Sequence, residues 1–249
     1  METVSFSIPY LYILHVTIVG IRVSATLLFA PIWGYPGLPQ YLRVMLVFSI
    51  AAGVSAITSV PPEAYLNPGL VIPSEFLIGM LLSIGVRIAF AGLHLGGQLV
   101  STHLGFTAVQ TIDPQTQNRS TLVSGYFTII GYVLLLASNQ HHVMFRAIAS
   151  SYVAFPVGAS VSAQQWFGAV IEASTQVFVI GWKIALPVFL ATFIVELAVG
   201  FLSRMQPQIN TMVVTAPLKI FVGLVVLGAS LAFMPRAMGT VIETMVLRK

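Results

Sequence analysis

Residues able to do chemistry are scarce in this chain and lie far apart. Asp113 is the only aspartate in 249 residues. It sits in a proline turn, Asp113-Pro114, among Gln110, Gln115, Thr116, Gln117 and Asn118. His141 and His142 are adjacent. Neighbours on a helix point about 100° apart, and no H-E-x-x-H or carboxylate pairing accompanies them, so an interfacial polar break is favoured over a metal site. Ser, His and Asp all occur, but no G-x-S-x-G elbow does. The absence of cysteine excludes disulfides, thiolate metal sites and thiol nucleophiles. No catalytic, cofactor-binding or metal residue is assigned, and the chain reads as a non-enzyme.

Seven charged residues, Glu75, Arg87, Glu172, Lys183, Glu196, Arg204 and Lys219, sit in or beside apolar runs. A charge held in lipid costs at least ~2.5–3.5 kcal/mol, so such groups face protein or water. Glu172 and Lys183 share a helix face but lie ~16 Å apart along the axis. Their partners must therefore come from other helices or other chains. One reading is an ion relay, as in a secondary transporter; the other is inter-subunit or lumen-facing pairing. The second is favoured because the charges do not gather at one depth.

The stretch around Asp113 carries a different kind of chemistry. In GFTAVQTIDP, Phe106, Val109 and Ile112 recur at every third residue, opposite a Thr/Gln edge. An ordinary connector with chance apolar residues is one account of this. The other is a loop folded inward that closes a pore by excluding water.

The elements that must position these residues are membrane helices. The chain is 57% hydrophobic and 7% charged, with a mean hydropathy of +0.94. Soluble domains carry about 25% charged residues, so lipid or partner protein must cover most of this surface. The net charge of +4 fits membrane anchoring. No basic stretch is interleaved with aromatics, so no nucleic-acid partner is expected. No Lys or Arg precedes Arg22, which predicts that the first apolar span is retained and not cleaved as a signal peptide.

Apolar segments are predicted over about 8–30, 41–60, 73–103, 122–137, 143–157, 166–202 and 212–234, giving six or seven helices. The third should begin at Pro73, with Ser74 and Glu75 in its first turn. At about 31 residues it spans ~46 Å, and the 166–202 run spans ~55 Å. Both exceed the ~30 Å hydrocarbon core. Gly85, Ala89, Gly92 and Gly96 place small side chains on one face of the third helix, a surface for close helix packing. Residues 138–142 form a polar break, and Arg204 to Asn210 form another.

These residues also carry a family resemblance. The run GGQLVSTHLGFTAVQTIDPQTQNRSTLVSGYF resembles the signature region of the FliR family of flagellar export-gate proteins, which is similar to the SctT component of virulence type III secretion. GLPQYLRVMLVFSIA and PVFLATFIVELAVGFLSRMQPQINTMVVTAPLKIFVGL resemble the same family, in its order and at its length. The resemblance implies an all-α, non-enzymatic subunit in the bacterial inner membrane and flagellar basal body. It implies assembly with FliP-type and FliQ-type subunits, with FlhB and FlhA associated, around a channel for unfolded export substrates. It implies that residues 105–119 are a plug, comprising Gly105, Phe106, Val109, Gln110, Ile112, Asp113, Pro114, Gln115, Gln117 and Asn118.

The resemblance implies that residues 1–249 form one unit of this kind, with about 1–164 FliP-like and about 165–249 a FliQ-like hairpin. Gln206, Gln208, Ile209, Asn210, Met212, Pro217, Lys219 and Ile220 match the Q-x-Q-I-N-x-M…P-x-K-I pattern shared with FliQ. Gln206, Pro207, Gln208 and Asn210 would make the hairpin turn, and Lys219 would face the lumen or another chain. The rivals are an SctT-type virulence gate and, less favoured, a secondary transporter.

Overall fold

The computed structural model describes residues 10–33, 38–106, 122–159, 162–206, 208 and 211–231. Among these it is all helix, in the order α1 (Tyr10–Phe29), α2 (Gln40–Ser55), α3 (Pro62–Leu66), α4 (Pro68–Leu104), α5 (Leu122–Ala137), α6 (Gln140–Ala154), α7 (Ala163–Met205) and α8 (Thr211–Ser230). Stretches of α1, α4, α7 and α8 are long and apolar enough to cross a membrane: Tyr12–Phe29, Pro68–Leu104, Trp166–Met205 and Val213–Ser230. In α4 and α7, 37 and 43 residues long, a rise of 1.5 Å per residue gives ~55 and ~65 Å.

Several boundaries differ from expectation, among them the end of α2 at Ser55, short of the predicted 60. Helix α4 starts at Pro68, five residues before the predicted Pro73. The Asn67 carbonyl accepts from Leu70 and Val71 N–H at 3.2 and 3.3 Å, which makes Asn67 the N-cap and Pro68 the first helical residue, where a missing N–H costs nothing. Pro73 lies inside the helix, and the carbonyl its ring would crowd belongs to Gly69, four residues back. Glu75 is thus not in the first turn. The predicted 138–142 break is also narrower. Ser138 and Asn139 form the turn, with Asn139 in the left-handed region at φ 57°, while His141 and His142 belong to α6. The short helix α3 was expected to be loop; Pro61-Pro62 starts it, with Pro62 pre-set for the first helical position.

The chain packs as two compact units. One takes α1 to α3, α4 through Arg87, α6 from His141, and α7 through Ile171; the other takes α4 from Ile88, α5, α7 from Glu172, and α8. The core of the first centres on α1, where Ile18, Val19, Val23, Ala25 and Leu27 are buried, with Ala30 buried just after it. In the second, the glycines of α4 and α7 replace bulk at the helix contacts. A Cβ on Gly92 would stand 2.6 Å from Ile180 Cβ, and one on Gly96 would stand 3.0 Å from Ile184 Cβ. Gly181 on α7 in turn receives Leu95 of α4. Outside these contacts α7 and α8 remain apolar and exposed, at Phe178, Phe193, Phe201, Val213 and Phe221 among others.

Candidate functional site

The first unit is built around one arginine. Arg22 lies in the middle of the apolar helix α1, where an unpaired charge is costly, and it is fully buried. Its Nε donates to Glu75 Oε2 at 2.8 Å and its Nη2 to Glu75 Oε1 at 2.9 Å, a two-pronged pairing that suits a guanidinium and a carboxylate. Its Nη1 donates to the Phe155 carbonyl at 2.9 Å and to Ser151 Oγ at 3.2 Å. The ring of Tyr152 lies 4.0 Å from the guanidinium carbon, and the phenol donates to the Val19 carbonyl at 3.1 Å.

Glu75 is equally buried, and its Oε1 also accepts from Gly158 N–H at 3.1 Å. One node thus ties α1, α4, α6 and the turn after α6. Gly79, one helical turn beyond Glu75, permits the approach: a Cβ there would stand 2.5 Å from the Arg22 carbonyl oxygen. Every donor and acceptor described here faces a partner, which makes the node a clamp with no vacant position for a reactant.

The second unit carries the described ends of the central loop. Helix α4 ends in a Schellman motif. Gly105 takes φ +82°, its N–H donates to the Thr102 carbonyl at 3.1 Å, and Phe106 N–H reaches the Ser101 carbonyl at 3.0 Å. Glycine is the residue that enters this left-handed position without penalty. Leu104, just before it, is buried and seats on Gly223 of α8, where a Cβ would be only 2.2 Å from Leu104 Cδ2. His103 stands edge-on to Phe189 of α7 at 4.6 Å between centroids, and Phe189 stacks with Phe193. The beginning of the central loop is therefore anchored to both α7 and α8. Val109, Gln110, Ile112, Asp113, Pro114, Gln115, Gln117 and Asn118 lie outside the described residues.

Helices α7 and α8 run antiparallel. Lys219 Nζ donates to Glu196 Oε1, and Thr192 approaches Gly223, so four residues back on one helix match four forward on the other. Lys219, expected to face the lumen or another chain, has an ion partner within its own hairpin. In the hairpin turn Gln206 and Gln208 are exposed, and Pro207 and Asn210 lie outside the described residues.

Among the other predicted charges, Arg87 is exposed with its guanidinium 5.7 Å from the Phe29 ring centroid. Glu172 interacts within the chain, and Lys183 and Arg204 are exposed on α7. Gly85, Ala89, Gly92 and Gly96 are all buried. His141 and His142 lie with ring centroids 4.2 Å apart, and no described group of three or more His, Cys, Asp or Glu could hold a metal.

Sequence reasoning assigned no role in a site to Arg22, Gly79, Ser151, Tyr152 or Gly158. A signal for the pair was present: Arg22 and Glu75 are opposite charges in two apolar segments, each needing a partner on another helix. Nothing in the spacing pointed to Ser151 or Tyr152.

Comparison with known proteins covers nearly the whole length. Residues 13–245 match the family described as bacterial export proteins, family 1. The chain is similar to the flagellar biosynthetic protein FliR of Bacillus subtilis (strain 168), 27% identical over 218 residues that cover 84% of this chain and 83% of the relative. It is likewise similar to the FliR of Caulobacter vibrioides, 27% identical with 85% and 86% covered, and to that of Escherichia coli (strain K12), 25% identical with 84% and 81% covered.

Proposed function

The chain belongs to the bacterial export proteins, family 1, and on that premise we propose that it is the FliR-type subunit of a flagellar type III export gate in the bacterial inner membrane and basal body. The observation that carries this reading is the match over residues 13–245, which takes in all eight described helices apart from the first turn of α1. In this reading the chain assembles with FliP-type and FliQ-type subunits, with FlhB and FlhA alongside, and unfolded flagellar proteins pass through the channel without any chemical step. The relatives named above are flagellar, which favours that system over a virulence gate.

The exposed apolar faces of α7 and α8 support assembly, since patches of this extent need lipid or protein cover. Lys183 and Arg204, exposed on α7, are the charges assigned to partner subunits or lumen, because facing lipid is costly. The portion before about residue 165 plays the FliP-like part and the remainder the FliQ-like hairpin, turning at Gln206–Asn210. Co-expression tests this: the chain is expected to co-purify with FliP- and FliQ-type subunits. A monodisperse monomer with no affinity for either would overturn the reading.

The loop over residues 105–119 is proposed as the plug. Its mounting supports this, for the chain enters it from a Schellman turn locked against α7 and α8. Burying Phe106, Val109 and Ile112 would contribute ~4–9 kcal/mol at ~1.5–3 kcal/mol each, less the entropy of ordering the loop. That suffices to hold a dry seal yet lets an arriving substrate displace it. Deleting residues 106–112 is expected to leave assembly intact and to make cells leak small ions, with Phe106→Ser or Ile112→Ser leaking less. An assembled gate that stays ion-tight without the segment would refute the plug.

A further inference from the structure

Helix α1 cannot satisfy its own charge. Its hydroxyls bond within the helix: Thr17 Oγ1 donates to the Ile13 carbonyl, Ser24 Oγ to that of Ile21 and Thr26 Oγ1 to that of Arg22. Arg22 is the one Arg, Lys, Asp or Glu in Tyr10–Phe29, and its guanidinium bonds only to groups from α4, α6 and the turn after α6. The stretch Tyr12–Phe29 is long and apolar enough to cross a membrane. Arg22 stands ~15 Å along the axis from Tyr12 and ~10 Å from Phe29, inside a hydrocarbon core of ~30 Å. A guanidinium at that depth is held only where protein or water meets it.

Order along the chain decides when such a partner exists. No Asp or Glu occurs between Glu2 and Glu63. Helix α2 packs against α1, with Ala51 opposite Gly20, but it brings Arg43 and no carboxylate. The first acid carried inside a long apolar helix is Glu75, 53 residues after Arg22. Ser151 and the Phe155 carbonyl follow 129 and 133 residues after it. In the finished fold Glu75 holds the guanidinium through both of its oxygens, and both side chains are fully buried.

We propose that Arg22 makes α1 a conditional membrane span: α1 settles across the bilayer only when α4 brings Glu75 beside it. The two charges then enter the apolar layer as a bonded pair, and α6 closes the shell around them. Without the arginine, α1 would cross unaided as soon as it was made. With it, commitment waits until the first unit can assemble. The inference rests on α1 crossing the membrane and is independent of how the export gate assembles.

The absence of native cysteine lets single reporters test this on the full chain. Ser7→Cys lies before α1 and Gln40→Cys lies after it. Each is made in cells, and spheroplasts are treated with a membrane-impermeant maleimide, intact or permeabilised, straight after a radiolabelled pulse. The short pulse reads the newly made chain before a weakened variant is degraded. In the otherwise native chain the two reporters should label from opposite sides. Glu75→Met should bring both to one side, with a roughly tenfold loss of labelling where the reporter formerly stood. Arg22→Met should keep them on opposite sides, although it breaks the same pair, and adding it to Glu75→Met should restore the native pattern. Opposite-side labelling that survives Glu75→Met would overturn the proposal, because α1 would then cross unaided. Loss of sidedness in Arg22→Met as well would also overturn it, because sidedness would then follow the integrity of the fold and not the stranded arginine. One-sided labelling of the native chain would refute the crossing of α1 itself, and the proposal with it.

Discussion

Arg22–Glu75 and Lys219–Glu196 are both cation–carboxylate pairs joining two helices, yet their surroundings are opposite. In the first pair both side chains are fully buried, the guanidinium is bidentate, and Ser151, Phe155, Tyr152 and Gly158 complete the shell. In the second, Glu196 keeps 47% of its side-chain surface exposed and Lys219 keeps 17%, with one bond between them. The difference separates a node whose polar partners are complete from a pair that stays open to its surroundings. Around Arg22 the chain supplies every polar partner itself. Along α7 and α8 it leaves charges and apolar side chains uncovered, as an element does when its remaining contacts come from lipid or other chains.

Breaking the buried pair is the most severe test of that comparison. Arg22→Met strands Glu75 among apolar helices, and loss of one partner of a buried pair costs about 3–5 kcal/mol. Glu75→Gln should cost less, because an amide can still accept from Arg22. The double change Arg22→Met with Glu75→Met should recover part of the loss, since no charge is then left buried. Denaturant unfolding of the purified chain in detergent, followed by helicity, measures all three. If Arg22→Met is neutral, the first unit is not held by this clamp and the comparison fails.

A smaller effect is expected at Gly79. Its missing Cβ is what lets α4 lie against α1 at the turn beyond Glu75, with the Arg22 carbonyl oxygen 2.5 Å from where that Cβ would be. Backbone cannot shift as a side-chain end can, so Gly79→Val should cost about 1–3 kcal/mol through overpacking. Gly53 on α2 has nothing within 4 Å of its own Cβ position. There Gly53→Ala should stabilise by about 0.5–1 kcal/mol, by relieving the entropy cost of glycine in a helix. The same unfolding assay reads both; equal effects would show that helix propensity, and not the α1–α4 approach, sets the cost.

Much of this architecture is legible in the sequence because bilayer physics leaves few options. Apolar runs of 16 residues or more announce the major helices, and the family resemblance supplies their order. Helix starts are harder to read when two prolines compete. Pro68 and Pro73 both suit a first turn, and the Asn67 carbonyl decides between them. Glu75 was singled out for the right property, a charge in an apolar run, but its partner Arg22 was not, because pairing between helices 53 residues apart in sequence depends on packing. Gly79 escaped notice for a related reason: it stands outside the regular spacing of Gly85, Ala89, Gly92 and Gly96. Gly105 was read as a loop boundary, and its left-handed backbone is the physical basis for that boundary.

The mildest change sharpens the comparison most. In the isolated chain in detergent, the Lys219–Glu196 pair is partly exposed, so its coupling should be at most ~1 kcal/mol and should fall as salt rises toward 0.15 M and beyond, where screening acts within ~8 Å. A double-mutant cycle of Lys219→Met and Glu196→Gln isolates that coupling from the separate effects of each change. The coupling of Arg22 to Glu75, measured in parallel, should be insensitive to salt. The cycle is then repeated on the chain co-assembled with its proposed partner subunits. If those subunits cover α7 and α8, solvent leaves the Lys219–Glu196 pair, screening fades, and its coupling should grow and lose its salt dependence. It would then resemble the pair at Arg22. A coupling that stays small and salt-dependent after assembly would place the pair on a water-facing side of the hairpin, consistent with a channel lumen and not with a subunit contact.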